Sequence, residues 1–417
     1  MLDRDPGQHP GSRAASDARP HRMAETIQAH GCSIVLSRVE GPEARELFLH
    51  CQPPADTSDP AAQAAAIYRA ILVTLDTEGC SFEHVVTETL FLRDLQANLV
   101  SVREARGEAL DVWDVTDHYP ATLEIEQPPL NESACLEVSL QALMPRESSL
   151  QLVSIEAAPS CGCAECASVR GLRVQVGNEV HLHASGLCGP GADAYEQTLA
   201  MFGAAEDLLQ RAGMDFRDVV RTWIYMRDID RDYGALNRAR RAFFAARGVE
   251  PVPASTGIGG GPVSGAHQLC LGVYAVKAGC PLVKTVMTSP TLNEASEYGA
   301  DFVRGLRVRE ANKDALLVSG TASIDEHGQT VHRGDIDAQA DRMLLNIAAL
   351  LERQGARFAD IVHAITYVKH AADAERLRER LRTAGFAGFP HALVVAPICR
   401  ADLLCETEVL AVRPLPA

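Results

Sequence analysis

An acid inside an apolar strand pattern is the first residue in this sequence with clear chemical potential. Glu406 sits in the run Leu404-Cys405-Glu406-Thr407-Glu408-Val409, where Leu404 and Val409 call for a core. An ionised, unpaired carboxylate there is strongly disfavoured. The acid therefore either takes an ion-pair partner or works as a proton donor with a raised pKa. Arg400 and His391 lie close enough in the chain to be that partner, or to contact a substrate beside it. Cys399 either faces the same pocket or simply packs, as free cysteines often do. Cys405 alternates with Glu406 and points to the opposite face of the strand.

Other residues suggest chemistry by their spacing. Arg221, Trp223 and Tyr225 alternate along one strand and share a face. An arginine among aromatics suits an anionic ring, and it equally suits a guanidinium lying over a sheet. Glu137 is a second acid in a strand-like run. Gly257-Ile-Gly-Gly-Gly261 fits a bulged turn or a close backbone approach to a ligand, and it lacks the strand–glycine–helix context of a nucleotide loop. Cys161, Cys163 and Cys166 form a C-x-C-x-x-C cluster that would hold a structural zinc if Cys188, His181 or His183 completed the set; otherwise they are plain thiols in a link. No cofactor is expected for catalysis.

The elements that position these residues come in three copies. Gly79 to Leu95, Gly213 to Ile229 and Gly355 to Ala371 align without gaps, each with Phe three residues after the Gly and a β-branched pair three residues after the Phe. The Gly fits a helix C′ position and the following run a strand. Helical periodicity precedes each Gly over Ala61–Thr77, Tyr195–Arg211 and Ile336–Arg353. Strands are expected upstream at Glu46–Cys51, Val180–Leu187 and Ala315–Ser319, and second helices at Leu99–Leu110, Tyr233–Arg247 and Ala374–Ala384. Each unit then closes with two strands read as a hairpin, the last spanning His391–Val412. The expected class is α+β, with helices on one face of a mixed sheet. Domains are drawn at 24–145, 169–277 and 296–417, joined by a cysteine-bearing linker at 146–168 and a second linker at 278–295, after a disordered tail at 1–23.

Bulk properties narrow the partners. The 417 residues carry a net charge of −16, which argues against nucleic acid or an anionic membrane. No apolar run reaches the ~18 residues of a membrane span. Twelve cysteines without a signal-like start point to a reducing compartment, the cytoplasm. A small anionic metabolite is the expected partner, and the chain is expected to act as a monomer or a homodimer.

The unit resembles the RidA/YjgF family. Leu317-Val-Ser-Gly-Thr-Ala-Ser323, with Gly334-Asp335 and Gln339, is similar to that family's second strand and first helix entry. The resemblance implies three tandem RidA-like domains folded as an intrachain pseudo-trimer, with sites between neighbouring units. It also implies an Arg clamp fifteen residues before a water-positioning Glu. Here those paired positions read Thr122/Glu137, Ser255/Cys270 and His391/Glu406, so the Arg is absent from every copy.

The second and third copies resemble chorismatases more closely. The matching stretches are Val220–Tyr225, Pro253–Gly259, Ser319–Ile324 with His332 and Gly334-Asp335, and Ile398–Leu404 with Glu406. This resemblance implies a proton donor at Glu406 and arginines, among them Arg221 and Arg304, that bind carboxylates. Where the family typically shows Tyr-Gly-Pro-Arg and then Phe-x-Arg, the chain reads Tyr298-Gly-Ala-Asp-Phe-Val-Arg304. The expectation is a chorismatase-like enzyme of secondary metabolism acting on chorismate or a related cyclic carboxylate. Its pocket would lie between the second and third copies, with Tyr225 and Cys399 shaping it. The alternatives are a RidA-type imine or enamine deaminase using Glu137 or Glu406, and a non-catalytic member that keeps only the trimer shape.

Overall fold

The computed structural model describes residues 23–413 except 116–117, 147–150, 157–162, 164–169, 280–281 and 299–300, together with Leu415. The tail expected at 1–23 lies almost wholly outside the described residues. Three six-stranded mixed sheets account for the described strands, as an α+β chain of three tandem units requires.

The first unit runs β1 (Met23–Ala29), β2 (Cys32–Glu40), β3 (Ala44–Gln52), α1 (Pro60–Thr77), β4 (Val85–Leu92), α2 (Leu95–Val112), β5 (Ala121–Glu126) and β6 (Leu136–Pro145). The second runs β7 (Gln151–Glu156), β8 (Arg170–Val176), β9 (Glu179–Leu187), α3 (Ala194–Arg211), β10 (Val219–Met226), α4 (Ile229–Arg247), β11 (Ala254–Gly259) and β12 (Leu269–Ala278). The third runs β13 (Val283–Val286), β14 (Gly305–Arg309), β15 (Asp314–Ala322), α5 (Ile336–Glu352), β16 (Ile361–Val368), α6 (Ala374–Thr383), β17 (His391–Val395) and β18 (Cys405–Arg413). In each unit the aligned glycine follows the first helix at positive φ: +69° at Gly79, +75° at Gly213 and +68° at Gly355. That left-handed step ends the helix, and the conserved spacing then places Phe82, Phe216 or Phe358 in a short 3₁₀ turn before the central strand.

Two expectations are corrected. The closing strands are not hairpins. The third sheet has the order β13-β14-β15-β18-β16-β17, so β16 lies between β17 and β18, parallel to one and antiparallel to the other. The link 396–404 crosses over the end of β16 instead of making a tight turn. The stretches read as linkers also carry edge strands, since β7 pairs with β8 and β13 with β14. Their Pro, Gly and Cys content obscured two short alternating runs.

Each sheet packs helices on one face and turns the other toward a shared axis. In the first unit, Leu136, Val138 and Leu140 join the helix-side core, so Glu137, Ser139 and Gln141 face inward by alternation. The three inner faces enclose a cavity of about 140 Å³ whose walls include Phe48, Leu317 and Trp223. A buried ionic group locks the units at this axis. Lys313 Nζ lies 2.7 Å from Glu46 Oε1 of the first unit and 2.8 Å from Glu310 Oε2 of its own. The Tyr274 hydroxyl of the second unit donates to Glu310 Oε1 at 2.9 Å. Among the described residues no helix is long and apolar enough to cross a membrane.

Candidate active site between the second and third units

Glu406 projects from β18 opposite Ala322 of β15 and Tyr367 of β16, with 4% of its surface exposed. Its carboxyl group lies over Gly320. A Cβ at Gly320 would fall 1.9 Å from Glu406 Oε1, so only glycine leaves room for the acid. The second unit supplies the facing wall through β11 and α4. Ser255 N donates to Ser319 Oγ at 2.9 Å, and Gly320 N donates to Thr256 Oγ1 at 3.0 Å. These bonds bring the two strands together at the cleft.

The small cavity at this junction, about 40 Å³, is lined by Glu406, Cys399, Tyr233, Arg240, Arg304 and Arg400 among others. Three guanidinium groups thus surround one buried acid. Arg240 donates to Ser255 Oγ at 3.3 Å and to Asn237 Oδ1 at 2.7 Å. Arg304 donates to the Asn293 carbonyl at 2.7 Å and to Asn293 Oδ1 at 3.0 Å. The Phe302 ring lies beneath both arginines, at 5.4 Å from Arg240 and 5.6 Å from Arg304. Arg400 donates to the Gly328 carbonyl at 2.8 Å. These acceptors are uncharged, and a carboxylate forms stronger, charge-assisted bonds to the same groups. The space as it stands has room for a water or two.

Burial is the main reason that the Glu406 carboxyl is pushed up to about 8. The Glu408 charge adds to the effect, while Arg304, Arg221 and Arg400 pull the other way. At neutral pH the group is largely a protonated acid. Cys399 stands beside it, and burial, reinforced by Glu406, pushes its thiol up to about 12. It is a neutral wall of the cavity and no nucleophile at neutral pH.

Three expected site residues lie elsewhere. Arg221 is 3% exposed and faces the axial cavity, where Nη2 donates to Glu408 Oε2 at 3.0 Å and to Thr256 Oγ1 at 2.6 Å. Trp223 Nε1 donates to the other Glu408 oxygen at 2.7 Å. Tyr225 lines the same axial cavity, and burial raises its phenol well above the usual range. The shared strand face was read correctly, but that face looks toward the axis. His391 is not the partner of Glu406. Its Nε2 pairs with Thr366 Oγ1 at 2.8 Å, and Thr366 pairs with Thr407, which alternates with Glu406 and reaches Met343 of α5. His391 therefore stands on the helix side of the sheet against Phe386 and Phe389, and burial lowers its pKa to about 3.

Glu137 accepts from His50 Nε2 at 3.0 Å and from Gln52 at 3.3 Å, both in its own unit. The glycines after Ile258 serve packing between units: Gly259 N donates to the Pro397 carbonyl at 2.8 Å, and a Cβ there would lie 2.5 Å from Pro397 Cδ. Cys161 and Cys166 lie outside the described residues. Cys163 Sγ is 3.5 Å from His267 Nε2. His181 Nδ1 bonds the Tyr274 hydroxyl at 2.9 Å and His183 stacks on the Tyr274 ring, so both are engaged at the axis.

Arg240 was missed by the sequence reading. Its signal was present, because Leu236, Phe243 and Phe244 form the buried stripe of α4 and Arg240 falls on that stripe. Gly320 and Glu408 were also missed, and neither has a local signal of its role.

Comparison with known proteins bears on the family and the fold. The Endoribonuclease L-PSP family model matches residues 298–412. A chorismatase of Streptomyces rapamycinicus is 30% identical over 242 residues, which cover 51% of this chain and 68% of that protein. A 3-hydroxybenzoate synthase of Streptomyces hygroscopicus is 26% identical over 239 residues, covering 51% and 68%. A crystal structure of chorismatase superposes with a TM-score of 0.55 at 19% identity, over 79% of this chain and 93% of that one. The shared fold thus extends beyond the half of the chain matched in sequence. With three RidA/YjgF-type units and an acid-bearing cleft between the second and third, the chain belongs to the chorismatase family.

Proposed function

We propose that the cleft between the second and third units binds chorismate, or a closely related cyclic carboxylate, and cleaves its enol ether by acid catalysis. The observation that carries this reading is one buried carboxyl, held protonated near neutral pH, among Arg240, Arg304 and Arg400. A carboxylate-bearing substrate is held by charge-assisted bonds from these arginines. Glu406 then gives its proton to the terminal methylene carbon of the enol ether, which becomes a methyl group. The positive charge left on the ether carbon is taken up by water. The resulting hemiketal collapses to pyruvate and the ring alcohol, and the proton released returns to Glu406. A general acid with a pKa near the working pH suits this role. The names of the relatives, chorismatase and 3-hydroxybenzoate synthase, support the choice of substrate.

The test is pyruvate release from chorismate. Wild type is expected to release it and Glu406→Gln to lose on the order of 10² to 10⁴ in rate, the usual contribution of a positioned acid. Failure of wild type to release pyruvate, or undiminished release by Glu406→Gln, removes the reading.

A further inference from the structure

We propose that the cavity on the pseudo-threefold axis is a second small-molecule site, separate from the Glu406 cleft, for a neutral aromatic molecule of about benzene size bearing one hydrogen-bond acceptor. The size comes first. At about 140 Å³ it compares with an apolar cavity of about 150 Å³ that holds benzene. The walls are suited to a ring. Phe48, Leu123, Leu317 and Ile365 come from the first and third sheets, and Trp223 and Tyr225 from the second.

The acceptor requirement comes from Arg221. Its Nη2 is taken by Glu408 and Thr256, whereas its Nη1 is buried with no acceptor among the described residues. A buried guanidinium donor without a partner is a standing cost that a ligand oxygen or nitrogen removes. Charge then selects among acceptors. Glu408 pairs with Arg221, and Lys313, also in the cavity wall, faces both Glu310 and Glu46. The buried His183 and half-buried His363 are neutral, their pKa values lowered by burial to about 3. The surroundings therefore carry no surplus positive charge, and an anion would be desolvated without compensation.

The experiment uses the full chain carrying Trp113→Phe, so that Trp223 is the sole tryptophan of the original 2. Its fluorescence is followed while benzonitrile, toluene or benzoate is added. Benzonitrile is expected to give a saturable change, and toluene the same change on the order of tenfold more weakly, since it cannot accept the Arg221 bond. Benzoate is expected to bind more weakly than benzonitrile. Ala315→Phe, which fills the cavity, should abolish all three responses, and Leu317→Phe serves if that variant melts at a reduced temperature. The pair Arg221→Met with Glu408→Gln should equalise benzonitrile and toluene. No saturable change with any of the three, a response that survives cavity filling, or benzoate binding tightest would each overturn the proposal.

Discussion

Glu406 and Glu408 stand two residues apart on one face of β18, and Glu408 is held by Arg221 at 3.0 Å and Trp223 at 2.7 Å. A fixed anion so close makes a second anion costly, which is part of why Glu406 stays protonated. Glu408→Gln removes that charge and frees Arg221 to favour the ionised form of Glu406. Both effects lower the Glu406 pKa. The alkaline limb of the kcat profile, set in wild type by an acid at about 8, should move to lower pH. An unmoved limb would show that Glu408 does not tune the acid.

Gly320→Ala is expected to separate activity from stability. The new Cβ would fall 1.9 Å from Glu406 Oε1, so the acid must rotate away from the cleft. Pyruvate release should fall to the level of Glu406→Gln. Overpacking of this kind costs about 1–3 kcal/mol, which urea unfolding would measure on a still folded protein.

Lys313 holds two acids from different units in a buried site. Lys313→Met leaves Glu46 and Glu310 without their shared cation, and breaking such a pair costs about 3–5 kcal/mol. A lower denaturation midpoint is expected, with partial recovery in Lys313→Met combined with Glu46→Gln. A midpoint equal to wild type in the single variant would contradict the axial lock.

Three buried or half-buried histidines should make the chain acid-sensitive. His183, His363 and His391 have pKa values lowered from 6.5 to about 3. Between those limits the unfolded chain binds protons that the folded chain refuses, so stability falls as pH drops below about 6.5. Glu406 works in the opposite sense. Its folded pKa is raised from 4.5 to about 8, so its contribution is full below 4.5 and is lost as pH rises through 8. Thermal unfolding across pH should show both slopes. His391→Gln should flatten the acid one and Glu406→Gln the alkaline one.

The repeat was readable in the sequence because it depends on local rules: a left-handed glycine, an anchoring phenylalanine, and then β-branched residues. Glu406 was readable because an acid among apolar residues needs a reason to be there. What escaped depends on which sheet meets which. Nothing in Val219–Met226 says whether its polar face looks toward a cleft or toward an axis, so Arg221 and Tyr225 were assigned to the wrong cavity. The link at 396–404 looks like a turn until β16 is seen to lie between the strands it joins. Gly320 matters only because an acid far along the chain folds over it.

The Glu406 cleft takes one wall from β11 and α4 and the other from β15 and β18. Were those walls on separate chains, dilution would dissolve the catalyst along with the assembly. Carried on one chain, they meet at a concentration fixed by the linker and independent of the solution. Specific activity should then stay constant at any enzyme concentration. Heredity changes as well. A mutation in a homotrimer alters every cleft at once, whereas here each cleft varies alone, and Thr122/Glu137, Ser255/Cys270 and His391/Glu406 have already diverged.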